Sequence, residues 1–230
     1  MNTLVLWDID RTLVDAGPVG VDWYRAALRA ATGLDLARTP PFGGRTERWI
    51  TLELLALHDL APTEELVARL HVELVAAAGR EHARLPELGR ALPGARAAVE
   101  ALARRDDVVQ SLVTGNLPEI ARFKLAAFDL DRHLDLEVGG YGQLSEHRPE
   151  LVLEAVRLAT AKHAREFRAA VVGDTPHDVE AALRHGAVAV GVATGRSSAE
   201  ELREAGAHTV LADLSDTAAV LAAVLDRPNP

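Results

Sequence analysis

The sequence predicts an α/β fold: a mostly parallel sheet with a helical block inserted after its first strand. Three observations carry this reading. From Ala95 onward, apolar runs of strand type alternate with segments of helical period. Between Pro18 and Leu92 no segment has strand character, whereas segments of helical spacing recur on both sides of a loop. Two of the apolar runs break off abruptly in carboxylates, as strands do when they end at a polar sheet edge. A strand-then-helix repeat needs crossover connections, so its strands run parallel and are covered on both faces.

The elements run in order. Residues 4–7, Leu-Val-Leu-Trp, form a strand that ends at Asp8 and Asp10, and Asp15, Gly17 and Pro18 turn the chain. Val21, Tyr24, Leu28 and Ala31 then recur at helical spacing, with Gly33 placed as a stop. Residues 39–44, Thr-Pro-Pro-Phe-Gly-Gly, are a loop before a helix over 46–57. After Pro62, Thr63 is an N-cap for a long helical segment to about residue 84, with Glu64 and Glu65 at its positive end. Pro93-Gly94 marks the return. Beyond it the pattern gives helices at 95–104, 119–128, 149–163, 179–184 and 217–225. Strands are expected at 108–114, near 136–138, at 169–173, 187–192 and 209–211. The last four residues, 227–230, read as a frayed tail.

Composition narrows the function classes. At 230 residues, 48% hydrophobic, the chain is long enough for one large or two modest domains. A net charge of −9 disfavours nucleic acid or an anionic membrane as partner, since both attract basic surfaces. The absence of cysteine removes disulfides, thiolate catalysis and Cys-ligated zinc. No basic n-region precedes Asp8 and no apolar run has spanning length, so the expected location is cytoplasmic.

Four polar stretches fall where strands end or helices begin. In the first, Asp8 and Asp10 are two apart on a strand and look to the same side. A calcium loop counted from Asp8 would need Gly at Leu13 and Glu at Val19, and neither a dinucleotide nor a P-loop glycine pattern comes after the strand. In the second, Thr114-Gly115-Asn116 closes a strand with a hydroxyl, a glycine and an amide, a turn able to bind an oxyanion or simply to turn. In the third, Arg148 precedes Pro149 and offers a forked donor for phosphate. In the fourth, Asp174 and Asp178 are spaced i, i+4 after the run 171–173, an oxygen-rich pair suited to Mg²⁺. His177 between them reads as a solvated loop residue, and Asp178 alone as a helix cap.

Taken in order, Asp8-Ile-Asp10-Arg-Thr12, Thr114-Gly115-Asn116, Arg148-Pro149 and Gly173-Asp174-Thr-Pro-His-Asp178 resemble the four motifs of the haloacid dehalogenase-like hydrolase superfamily. The helical block resembles that superfamily's small cap. Phe123-Lys124-Leu125 and Gly139-Gly140 are most similar to the phosphoglycolate phosphatase and phosphoglucomutase branch. The resemblance implies a three-layer Rossmann-like core at 1–14 and 93–230 and an all-helical cap at 15–92. It also implies a Mg²⁺-dependent phosphatase of small phosphorylated metabolites, with a phosphoglucomutase-like transferase or a non-catalytic phospho-ligand-binding relative as alternatives, working as monomer or homodimer. By the same resemblance Asp8 is the nucleophile and Asp10 the general acid and base. Asp8, Asp10, Asp174 and Asp178 are the metal ligands, and Thr114, Gly115, Asn116 and Arg148 bind the phosphoryl group. Arg45, in the cap loop, would pair with an anionic group of the substrate. Two positions depart from the branch: Arg11 stands where Gly is usual, and Arg148 replaces a Lys.

Overall fold

The structure, a computed structural model, describes residues 2–226; the tail expected to fray lies outside the described residues. The chain runs β1 (Thr3–Trp7), β2 (Val14–Asp15), α1 (Gly20–Thr32), α2 (Glu47–Leu57), α3 (Glu64–Glu81), α4 (Leu85–Leu88), β3 (Arg90–Ala91) and α5 (Ala95–Ala103). It continues with β4 (Val108–Thr114), α6 (Pro118–Ala126), β5 (Gly140–Tyr141), α7 (Arg148–His163), β6 (Arg168–Gly173), α8 (Pro176–Arg184), β7 (Val188–Val192), α9 (Ala199–Glu204), β8 (Thr209–Leu211) and α10 (Thr217–Leu225).

Six strands form one sheet in the order β5-β4-β1-β6-β7-β8, parallel at every pairing. The central strand shows why both faces must be covered. Thr3 to Trp7 are all buried, and alternate side chains go to opposite cores. Val5 and Trp7 pack with α5 and α10 on one face, while Leu4 and Leu6 pack with α7, α8 and Leu202 of α9 on the other. The result is a three-layer Rossmann-like arrangement. Trp7 lies fully buried because its indole N–H finds Gln110 Oε1 at 3.1 Å, and Gln110 in turn donates to Val99 O at 2.9 Å.

Three sequence expectations change. The strand expected near residue 136 is a single 3₁₀ turn, Leu136–Val138, held by the Asp135 carboxylate accepting from Glu137 N; the edge strand is β5, two residues on. Helix α9, unmarked by apolar periodicity, exists through a capping box in which Ser198 and Glu201 satisfy each other's backbone N–H groups. The block at 15–92 is helical apart from its two ends, where β2 and β3 pair antiparallel as a short ribbon, Val14 against Ala91 and Asp15 against Arg90.

Within the helical block, α1 and α3 pack against each other, and α3 also touches α6 of the sheet layer. Thr46 and Thr63 cap α2 and α3 by accepting from Trp49 N and Leu66 N at 3.2 Å each. The first turn of α2 has further partners. Glu47 N donates to Gly115 O at 2.9 Å and Arg48 N to Gly142 O at 2.8 Å, both carbonyls from loops at the sheet edge. The helical block is thereby seated on the loops that follow the carboxyl ends of β4 and β5.

Candidate active site

β1 lies between β4 and β6 at the middle of the sheet, so the residues after Trp7 open onto the crevice beyond the strands' carboxyl ends. Asp8 N is still held by Val172 O at 2.9 Å. Ile9 O then accepts from Leu13 N and Val14 N, each at 2.9 Å, folding 9–14 into a tight turn. Arg11 sits in that turn with φ +64°, the left-handed region, which accounts for the glycine expected at this place. Its guanidinium pairs with Asp15 at 3.0 Å and stays half exposed.

The carboxylates of Asp8, Asp174 and Asp178 converge. Asp8, Asp174 and Asp178 are all buried, and one oxygen from each lies within 4.8 Å of the others. Asp174 ends β6, with the Thr12 hydroxyl directed at its Oδ1 at 3.5 Å. Asp178 stands in the first turn of α8. Its Oδ2 accepts from Thr175 N at 3.1 Å and Thr175 Oγ1 at 2.6 Å, a capping box, so it is a cap residue and a member of the cluster at once. Gly173 makes this possible, since a Cβ there would meet Asp178 Cγ at 2.2 Å.

Arg148, the first residue of α7, is the cation of the group. It is 5% exposed, with Nη2 at 2.9 Å from Asp8 Oδ1, 2.7 Å from Asp178 Oδ1 and 3.1 Å from Val113 O, while Nη1 donates to Gly44 O at 3.3 Å. One guanidinium does not neutralise three carboxylates. Burial pushes Asp8 well above the usual carboxylate range, with Asp178 and Asp10 adding to it against Arg148. Asp174 rises as well, by burial and by its Asp8 and Asp178 neighbours. Asp178 Oδ1 meets Arg148 as an ion pair without an aligned hydrogen bond. A set of hard oxygen donors with excess negative charge and an under-satisfied oxygen fits a divalent cation.

Asp10 belongs to a separate network. Lys124 of α6 reaches both its oxygens, at 2.7 and 2.6 Å, and Asn116 Nδ2 donates to Oδ2 at 2.8 Å. Lys124 also donates to Asn116 Oδ1 at 2.7 Å, closing a triangle. Burial would raise Asp10, but the Lys124 charge and hydrogen bond, with Asn116, hold its carboxyl below the usual range. Lys124 is not among the site residues expected from sequence. The Thr114 hydroxyl accepts from Asn116 N at 3.3 Å and Asn116 Nδ2 at 2.8 Å. Gly115 must be glycine for a different reason: a Cβ would meet Arg45 O at 2.0 Å, so the cap loop lies flat on the β4 turn.

Between the helical block and the sheet edge lies a cavity of about 540 Å³, lined by Asp8, Asp10 and Asp174 on one side and by Tyr24, Arg45 and Glu47 on the other. Arg45 lies over the Trp49 ring at 4.3 Å with no carboxylate partner among the described residues. His177 is a half-buried helix residue of α8 rather than a solvated loop residue, packed under Gly44. Among the described residues no helix is long and apolar enough to cross a membrane.

Comparison with known proteins agrees with this architecture. The chain is 28% identical over 243 residues to probable phosphatase IndB of Dickeya dadantii (strain 3937), covering 98% of this chain and 96% of that protein. A hydrolase from Pseudomonas syringae superposes with TM-score 0.67 at 24% identity over 98% of this chain and 100% of its own. A predicted phosphoglycolate phosphatase from Haemophilus somnus 129pt superposes with TM-score 0.64 at 18% identity, over 95% of this chain and 97% of its own. The profile of the haloacid dehalogenase-like hydrolases matches residues 5–183, which hold Asp8, Asp10, Asp174 and Asp178, and the chain belongs to that family.

Proposed function

We propose that this hydrolase is a Mg²⁺-dependent phosphatase of small phosphorylated metabolites that works through an aspartyl-phosphate on Asp8. The observation that carries the reading is the convergence of Asp8, Asp174 and Asp178 beside Arg148, with Asp10 two residues on in the same cavity. The phosphatase name of the Dickeya relative supports it.

In the first step Asp8 attacks phosphorus, the Asp8–O–P bond forms, and the ester oxygen leaves with a proton from Asp10. In the second, Asp10 takes a proton from water, whose oxygen attacks phosphorus and restores the Asp8 carboxylate and free phosphate. Lys124 and Asn116 keep Asp10 ionised before substrate arrives. The incoming phosphate's negative charge raises its proton affinity, so Asp10 acquires its proton as substrate binds. Asp8, the backbone carbonyl of Asp10, Asp174 and, in support, Asp178 would hold Mg²⁺, which supplies charge neutralisation between nucleophile and phosphoryl oxygens. Arg148 and the Thr114-Gly115-Asn116 turn position those oxygens, and Arg45 offers a cation to the substrate from the cap. The division into core at 1–14 and 93–230 and cap at 15–92 would let the β2–β3 ribbon act as the joint on which the cap opens.

The test is phosphate release from a panel including 2-phosphoglycolate and sugar phosphates, with Mg²⁺ and with chelator. Metal-dependent release is expected; a folded protein that releases no phosphate from any ester would refute the reading, and phosphate moved within a sugar would point to the transferase. A second expectation concerns stability. Relieving repulsion among three acids, Mg²⁺ raises Tm, with about 2.7 kcal/mol of stabilisation at a hundredfold excess over Kd. A melting curve indifferent to saturating Mg²⁺ would count against the metal assignment.

A further inference from the structure

One buried acid in the cavity has no part in phosphoryl transfer. Glu47, the first residue of α2, is 4% exposed and lines the cavity from the side opposite Asp8 and Asp10. Its two oxygens share the Tyr24 hydroxyl, at 2.9 and 2.8 Å, and Thr51 Oγ1 lies 3.5 Å away. No cation pairs with it among the described residues. The basic group whose charge reaches it, Lys124, closes on Asp10 instead. Burial accordingly pushes the Glu47 carboxyl up to about 7, against the Tyr24 hydrogen bond and the Lys124 charge. A carboxyl buried with hydroxyl partners alone is costly to keep. Its surroundings give no structural return: Glu47 N already makes the backbone bond that seats α2, and Ile50, Leu74 and Ile120 line the cavity around it with apolar surface.

What the pair presents to a ligand is acceptor capacity. The Glu47 oxygens and the Tyr24 oxygen retain lone pairs, and the Tyr24 hydroxyl already spends its hydrogen bond on Glu47. Hydroxyl groups satisfy such a wall, whereas a second carboxylate would face Glu47 across a narrow, poorly hydrated space. Resting on the phosphatase reading above, we propose that Glu47 and Tyr24 form the subsite for the alcohol half of the substrate. They select esters whose alcohol carries neutral hydroxyls, of sugar or polyol type, and reject those whose alcohol carries a carboxylate. Of the arginines that line the cavity, Arg45 is held over the Trp49 ring and Arg196 is exposed.

The experiment compares kcat/KM for glycerol phosphate and for phosphoglycerate, esters of matched size, in wild type, Glu47→Gln and Tyr24→Phe, with phenyl phosphate as an ester carrying neither group. Wild type is expected to favour glycerol phosphate by about tenfold or more, and Glu47→Gln to shrink that preference by about tenfold, chiefly through KM. The ratio is the readout, so a general loss of activity in the variants does not mimic the effect. Tyr24→Phe, which removes the hydrogen bond that holds the Glu47 carboxyl down, should leave Glu47 more often protonated and shrink the ratio as well. Equal or better turnover of phosphoglycerate by wild type, or a ratio unchanged in Glu47→Gln, overturns the subsite while phenyl phosphate hydrolysis leaves the phosphatase reading standing. Absence of phenyl phosphate hydrolysis together with both other esters overturns the two together.

Discussion

Replacing Asp8 with Asn should lower kcat for phosphate release by on the order of 10⁴-fold while the protein stays folded. The size comes from the role. An amide does not form the acyl-phosphate bond, and no other carboxylate of the cluster can take the place: Asp174 ends a different strand, and Asp178 is fastened to Thr175 through Oδ2. Survival of the fold comes from the backbone. The position is held by the sheet through Asp8 N and Val172 O, and Asn has nearly the same volume as Asp. Arg148 keeps Asp178 as a partner at 2.7 Å, so the guanidinium is not orphaned. Single-turnover phosphate release measured beside a melting curve decides it. Residual turnover above about one part in a hundred in a folded Asp8→Asn protein would mean direct attack by water, and the covalent mechanism would have to be abandoned.

Lys124→Met should cost about 10²-fold in kcat and move the pH profile. Lys124 grips both oxygens of Asp10 and orients Asn116, so its loss frees the acid–base group in position and in charge together. The sign of the pH effect is fixed by the pair. With the ammonium present, the Asp10 carboxyl is held below its usual range; with it gone, the largest lowering influence is lost and the carboxyl rises. The limb of the kcat profile that reports ionised Asp10 therefore shifts to higher pH. Profiles that superpose after scaling would show that Lys124 acts on packing alone.

How much of this was legible beforehand depended on whether the signal was local. Asp8, Asp10 and Asp174 could be found because each comes after an apolar strand run, and a strand run is readable over about five or six residues. Arg148 and Asp178 stood out through a neighbouring proline and an i, i+4 spacing. Lys124 lies in an ordinary helix, and what defines it is an ion pair across 114 residues of sequence, to which no spacing rule points. Glu47 was hidden differently. An acid in the first turn of a helix is a common sign of a favourable helix end, so its burial in a cavity had no counterpart in the sequence. Strand β5 escaped for a third reason: two residues, one of them glycine, carry no alternation, and pairing with β4 alone makes them a strand.

The seating of α2 bears on which way round the proposed substrate would lie. A free helix start is an anion receptor, yet here Glu47 N and Arg48 N are already engaged by Gly115 O and Gly142 O, and Trp49 N by the Thr46 hydroxyl. The helix mouth nearest the cavity is thus stoppered with oxygen, and the side chain beside it is an acid. Arg148 and Lys124 stand on the opposite wall, while Arg45 of the helical block lies over the Trp49 ring. A phosphate ester is itself two-ended, anionic at phosphorus and neutral at its alcohol. On the proposed phosphatase reading, such an ester would load with phosphorus toward the sheet.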